Sequence, residues 1–201
     1  NYTGVTRPVV SWLGELSILG AMMPGPGQDQ RDGVAVASAM DDVRGALPWQ
    51  SVIGSMALLA SHDTARWRSM ARTDALALVG LGLLMTMPGS PCVFYGDEVG
   101  LRAADNELAR SPMPWDESRW DRAWLDTYRR WIGLRAGSTA LAHGGFRWAE
   151  RAPDALTFLR EAARERLIVR AVRTGDAPPV RLTVAQLGSH TVDRLIGGGT
   201  A

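Results

Sequence analysis

Two short apolar runs, each closed by a polar triplet, constrain the fold of this sequence more than any other feature. Ala57 to Ala60 ends abruptly in Ser61-His62-Asp63, and Ser90 to Tyr95 (SPCVFY) ends in Gly96-Asp97-Glu98. Between them, Asp74 to Met87 is apolar nearly all round, long enough for a helix, and opened by an aspartate. A continuous apolar run with polar groups at its C-terminal end suits a strand buried on both faces. Strand, polar end, helix, strand, polar end is the βα rhythm of a parallel sheet or barrel, which places the chain in the α/β class.

The flanking segments follow local rules. Val5 to Leu13 reads as a helix, with Thr6 near the cap and Pro8 in the first turn, where its missing N–H is not needed. Ala21 to Gly33 reads as a loop, because Pro-Gly-Pro-Gly sustains neither periodic structure. Helical stretches are expected around Val34 to Val43 and from Pro48 to Met56. After Gly100 a charged loop runs from Arg102 to Asp116. Trp120 to Arg135 then forms an amphipathic helix with Trp124, Tyr128, Trp131 and Arg135 on one face. From Leu141 onward the period changes. Gly145 to Trp148, Ala155 to Arg160, Leu167 to Val172 and Val180 to Val184 read as short strands of a small antiparallel unit. The Gly197-Gly198-Gly199 tail reads as frayed.

Composition narrows the function classes. The 201 residues allow one ordinary domain, or one plus a small second one. An apolar fraction of 46% with 21% charged residues is that of a globular chain. The longest apolar run, Ala75 to Met87, falls short of the ~20 residues that span a bilayer, so no membrane partner is expected. No basic-then-apolar leader opens the sequence, which fits a cytoplasmic protein. All basic residues are arginine, and the net charge of +1 argues against nucleic acid as a partner. A single cysteine, Cys92, excludes an internal disulfide framework and a multi-cysteine metal site.

Several motifs reduce to structural readings. Gly80-Leu81-Gly82 lies inside an apolar helix, with Met85 where a third glycine would stand, so it is no nucleotide loop. Cys92 sits on a buried strand and reads as core. His143 and His190 fall in loops of the β unit without ligand spacing. The alternation of Glu and Arg from Glu150 to Arg173 reads as a solvated strand surface. Asp63 is different, because His-Asp at the C-terminal end of a buried strand would project both side chains into a barrel mouth. The alternative is a capped helix start in which Asp63 pairs with Arg66 or Arg68.

Three segments resemble a known family. Ala60-Ser61-His62-Asp63-Thr64-Ala65-Arg66 is similar to the seventh-strand signature of the α-amylase family of glycoside hydrolases (family 13). Met87 to Leu101 (MPGSPCVFYGDEVGL) resembles the eighth strand and its continuation, and Arg110 to Asp116 (RSPMPWD) the loop that follows. The likeness covers residue 1 to about Arg135, and the closing β unit resembles the C-terminal domain of the same family. Where the family often carries a second arginine, Ser111 stands.

The resemblance implies the C-terminal part of a (β/α)8 TIM barrel, about strands seven and eight with their helices, over residues 1–138. A small, incomplete antiparallel β domain would occupy 139–201. Asn1-Tyr2 looks like the end of the sixth strand. The implied activity is that of a retaining glycosidase on α-glucans, with the nucleophile and acid upstream of residue 1. Retaining glycosidases set those two carboxyls ~5–5.5 Å apart, and their oxocarbenium-like transition state gains from hydrogen bonds to the 2-hydroxyl. By resemblance, Asp63 is the third, transition-state-stabilising carboxylate, gripping the 2- and 3-hydroxyls. His62, Arg66 and Arg110 are the substrate-binding candidates, the arginines also serving to orient the carboxylates or as plain salt bridges. Asp97 and Glu98 are expected to hold the strand end and loop together. The partner implied is an α-glucan or maltooligosaccharide, with no cofactor and no metal. A transglycosylating relative such as a trehalose synthase, or a non-catalytic carbohydrate-binding relative, carries the same motifs.

Overall fold

The computed structural model describes residues 2–15 and 30–188. The readings made at Asn1, over most of the Pro-Gly loop, at His190 and for the glycine tail fall outside the described residues. A π-helical turn, Tyr2–Thr6, leads into α1 (Arg7–Leu13), with Pro8 in its first turn. Thr6 does not cap α1. Its hydroxyl is buried and donates to the carbonyl of Leu58 at 2.7 Å, tying this turn to the first strand.

Helices α2 (Gly33–Gly45) and α3 (Trp49–Gly54) precede β1 (Met56–Leu58). The side chain of Asp32 accepts from the Ala35 N–H at 2.8 Å and starts α2. After β1 come α4 (Trp67–Met70), α5 (Asp74–Thr86) and β2 (Ser90–Cys92). β1 and β2 pair in parallel, Met56 opposite Ser90 and Leu58 opposite Cys92. The βα rhythm read from the sequence is therefore present, but β2 is not the buried strand expected: Ser90 is exposed and Pro91 and Cys92 are only half-buried, so Cys92 is not a core residue. Both strands are shorter than expected, because Leu59-Ala60 and Val93 to Tyr95 leave the ladder.

Helix α5 explains its own lack of a polar face. Thr73 caps it by accepting from the Leu76 N–H at 3.1 Å. Ala77 and the whole stretch from Gly80 to Thr86 are buried, as expected for a helix packed on more than one side. At Gly80 a Cβ would stand 2.1 Å from the Trp67 ring, so only glycine admits that contact. The carbonyls at the C-terminal end of α5 take their donors from two arginines. Arg135 donates to Met85 and Met87 at 2.9 and 3.1 Å. Arg160 donates to Thr86 at 2.7 Å. Terminal carbonyls lack intrahelical partners, and a cation there also meets the negative end of the helix dipole.

The short helix α6 (Asn106–Ala109) and a 3₁₀ turn (Glu117–Arg119) lead to α7 (Arg122–Gly137) and α8 (Thr139–His143). Trp124 and Tyr128 on α7 are buried, the stripe expected from their spacing. His143 closes α8 and so belongs to a helix, not to a loop of the β unit. The remaining strands, β3 (Gly145–Ala152), β4 (Ala155–Ala162) and β5 (Glu165–Val172), form one antiparallel sheet in the order β3-β4-β5, with a bulge between Trp148 and Glu150. Phe146, Trp148 and Phe158 stack edge-on and tilted with centroids 5.0 to 5.7 Å apart, and Arg44 of α2 lies 4.2 Å above Phe146. That contact docks the sheet on the helices.

Two further expectations fail. Val180 to Val184 is no strand: the segment is irregular and enters α9 (Val184–Leu187). Pro178 and Pro179 just before it have no N–H to give a ladder. The Glu and Arg alternation is solvated only in part. Arg160 is fully buried, because its guanidinium reaches the carbonyls of Thr86, Leu141, Gly144 and Gly145. Burial pulls its pKa down to about 10.

Candidate functional site

His62 and Asp63 sit on the turn that leaves β1, held by short side-chain bonds. The Ser61 N–H donates to Thr64 Oγ1 at 2.9 Å, and the Asp63 N–H donates to Ser61 Oγ at 3.0 Å. Ser and Thr hydroxyls compete for backbone in this way and stabilise tight turns. The Tyr2 hydroxyl and Ser61 Oγ are 2.5 Å apart, which fastens the turn to the start of the chain. Neither Ser61 nor Thr64 was singled out from the sequence, although three-residue Ser-to-Thr spacing is the visible sign of such a turn.

The carboxylate of Asp63 is open to solvent, with 55% of its side chain exposed. His62 Nε2 lies 3.2 Å from it and Arg110 Nη2 lies 3.9 Å away. Arg110 is itself oriented by a bond from its Nε to the carbonyl of His62 at 2.8 Å. The structure thus brings His62, Asp63 and Arg110 together on one exposed ledge, with two nitrogen donors beside one carboxylate. Asp63 pairs with neither Arg66 nor Arg68.

Arg66 lies elsewhere. It is 1% exposed and points beneath that ledge. Its Nη1 donates to the Tyr95 carbonyl at 2.7 Å and to Asp97 Oδ1 at 3.0 Å, and its Nη2 donates to the Ala109 carbonyl at 2.8 Å. The guanidinium also lies 4.8 and 5.1 Å from the ring centroids of Phe94 and Tyr95. One buried cation therefore joins the turn after β2, through Tyr95 and Asp97, to the last residue of α6, directly before Arg110. Gly96, with φ of +87°, makes that turn, and a Cβ on it would meet Arg66 and Leu101.

Asp97 is buried, and loss of hydration pushes its carboxyl up to about 7 against the attraction of Arg66. Its main-chain carbonyl accepts from Trp124 Nε1 at 2.8 Å. Arg68 builds a second, more exposed network, bonding Asp74 at 2.7 Å and Asp121 at 2.9 Å over the Trp124 ring. Arg68 holds the Asp74 carboxyl below its usual range. Among the described residues, no three His, Cys, Asp or Glu side chains are grouped to hold a metal ion. None of the described helices is long and apolar enough to cross a membrane.

Comparison with known proteins identifies relatives. No family model matches the chain. It is 32% identical to neopullulanase 2 of Thermoactinomyces vulgaris over 154 residues, covering 75% of this chain and 26% of that protein. It is 36% identical to a cyclomaltodextrinase of a Bacillus species over 115 residues, covering 56% and 21%. A weaker match, 32% over 99 residues, is to an amino acid transporter heavy chain of Mus musculus. Among solved structures, the ligand-free cyclic α-maltosyl-(1→6)-maltose hydrolase of Arthrobacter globiformis superposes with a TM-score of 0.71 at 28% identity, over 86% of this chain and 36% of that one. The chain spans about a quarter of the length of the curated relatives it matches.

Proposed function

We propose, from the premise that this chain is a homologue of the α-amylase family of glycoside hydrolases, that it forms part of a retaining glycosidase acting on α-glucosidic bonds of maltodextrins. In this reading β1 and β2 are the seventh and eighth barrel strands, residues 1–138 belong to the barrel, and 139–201 to the C-terminal β domain. The nucleophile and the acid come from residues upstream of residue 1.

The observation that carries the reading is the exposed Asp63 carboxylate at the end of a parallel strand, with His62 and Arg110 as its neighbours. An exposed acceptor set between two donors suits vicinal sugar hydroxyls, which donate to the carboxylate and accept from the nitrogens. As positive charge develops at the anomeric carbon, the carboxylate strengthens its hold on the 2-hydroxyl and stabilises the transition state. Arg66 acts through structure here, holding the loop that presents Arg110. Ser61, Thr64 and Tyr2 hold the turn that presents Asp63.

Substitution Asp63→Asn in the full-length protein tests this. The neutral amide keeps the shape but not the charge, so kcat is expected to fall by about 10²–10³, or ~3–4 kcal/mol, with melting unchanged. A kcat within threefold of the parent overturns the assignment.

A further inference from the structure

We propose that Asp97 is a positioning residue for sugar binding, which sets through Arg66 where Arg110 stands beside Asp63. The inference rests on the function proposed above, in which Arg110 binds sugar. Arg66 fastens the loop that carries Arg110 at two points. Its main-chain N–H donates to the Ala103 carbonyl at 3.0 Å, and its Nη2 to the Ala109 carbonyl at 2.8 Å. Both alanines are buried, while Ala104, Glu107 and Leu108 between them are exposed. The Ala109 carbonyl lies in the peptide bond that leads into Arg110, so its place fixes the root of that side chain.

A guanidinium is a rigid planar fork, so fixing one edge of it fixes the other. The far edge of Arg66 is held at Nη1, by the Tyr95 carbonyl at 2.7 Å and by Asp97 Oδ1 at 3.0 Å. The carboxylate supplies a charge-assisted bond, about twice as strong as a neutral one. At 1% exposure the cation has little water to take the carboxylate's place. Asp97 is fixed in turn by its main chain. Its carbonyl accepts from Trp124 Nε1 at 2.8 Å and from the Gly100 N–H at 3.2 Å, and its own N–H donates to the Phe94 carbonyl at 3.1 Å. A line of bonds thus runs from α7 through Asp97 and Arg66 to the residue before Arg110. A donor such as Arg110 holds sugar hydroxyls alike in the ground and transition states, so its displacement shows in KM rather than in kcat.

A double-mutant cycle in the full-length protein, with KM and kcat measured for maltotriose hydrolysis, tests this line of bonds. Asp97→Asn is expected to raise KM roughly five- to tenfold while kcat stays within about threefold. Arg110→Ala raises KM as well, and Asp97→Asn adds nothing in that background, because the residue it acts through is gone. Structural damage of a general kind would act in both backgrounds. An unchanged KM, effects on KM that multiply, or a kcat lowered more than KM is raised each overturn the proposal. Should Asp97→Asn melt below the assay temperature, Trp124→Phe replaces it in the cycle. That variant removes the bond to the Asp97 carbonyl but keeps an aromatic ring under Arg68, and the same cancellation against Arg110→Ala is expected. Asp63→Asn, measured alongside, separates the two ideas. If it loses kcat while the effects on KM multiply, this inference alone falls. If it retains kcat, or the parent hydrolyses no maltodextrin, the reading beneath falls with it.

Discussion

The parallel pair and the antiparallel sheet solve the problem of charge in opposite ways. Around β1 and β2 the central ion pair, Arg66 with Asp97, is buried almost completely. On the antiparallel sheet the pairs run across the surface instead. Glu161 is held by Arg147 and Arg166, both at 2.6 Å, and Glu150 faces Arg170 at 3.4 Å. A buried pair loses hydration and must regain it from geometry, whereas a surface pair loses little and contributes little. The parallel unit thus keeps one buried cation that ties the turn after β2 to α6, beside the more exposed Arg68 network. The sheet spreads its pairs along strands whose backbone ladder is already complete.

The largest test of this contrast is Arg66→Ala. It strands Asp97 in the interior and frees the carbonyls of Tyr95 and Ala109, so a loss of about 3–5 kcal/mol is expected in denaturant unfolding. A loss below about 1 kcal/mol would put Arg66 on the same footing as a surface charge and dissolve the distinction. Arg160→Met comes next, since this residue bridges the two regions through the Thr86, Leu141 and Gly144 carbonyls. Buried carbonyls left without donors are expected to cost about 1–3 kcal/mol. A neutral outcome would mean that the sheet does not depend on this contact to stay docked.

The pH response separates the regions further. Asp97 has its folded pKa raised from 3.8 to about 7, so between those values the folded state binds more protons than the unfolded one. Stability from this group is therefore fully present below pH 3.8 and is lost as pH rises through 7. Glu161 behaves oppositely. The Arg147 hydrogen bond holds its carboxyl below 4.5, so its contribution is present above that value and lost as pH falls. Melting curves of Asp97→Asn should flatten between pH 4 and 7, while those of Glu161→Gln should differ from the parent only above its lowered pKa. A parent slope unchanged by Asp97→Asn would show that this carboxyl does not titrate in that window. The smallest effect is that of Glu161→Gln near neutral pH, about 0.2–1 kcal/mol.

Much of this architecture was legible one segment at a time. The parallel pair was visible because apolar runs closed by polar triplets admit few other structures, and α5 because an aspartate opens a long apolar stretch, although Thr73 rather than Asp74 caps it. The antiparallel strands β3 to β5 followed from β-branched and aromatic residues between turns. The fourth strand expected at Val180 to Val184 had the right residue types but lay behind two prolines, and local composition outweighed that signal wrongly. The lengths of β1 and β2 were overread for a related reason. Apolar character persists through Leu59-Ala60 and Val93-Phe94 because they are packed, although the ladder has already ended.

The candidate site divides along the same line. That Asp63 and His62 stand at the end of a strand follows from their place in the chain, since the turn is closed by neighbours within three residues. Which arginine serves them does not. Arg66 is three residues from Asp63 and points away, while Arg110, 47 positions on, reaches both residues. Likewise, nothing local distinguishes Asp97, buried against a guanidinium, from Asp63, open to water; both follow an apolar run in sequence. Alternation, capping and turn chemistry act over a few bonds, so the sequence alone determined the elements and the residues at their ends. Burial and charge pairing depend on which elements meet in space, and only the tertiary structure decided that Asp63 faces solvent while Arg66 and Asp97 neutralise each other beneath it.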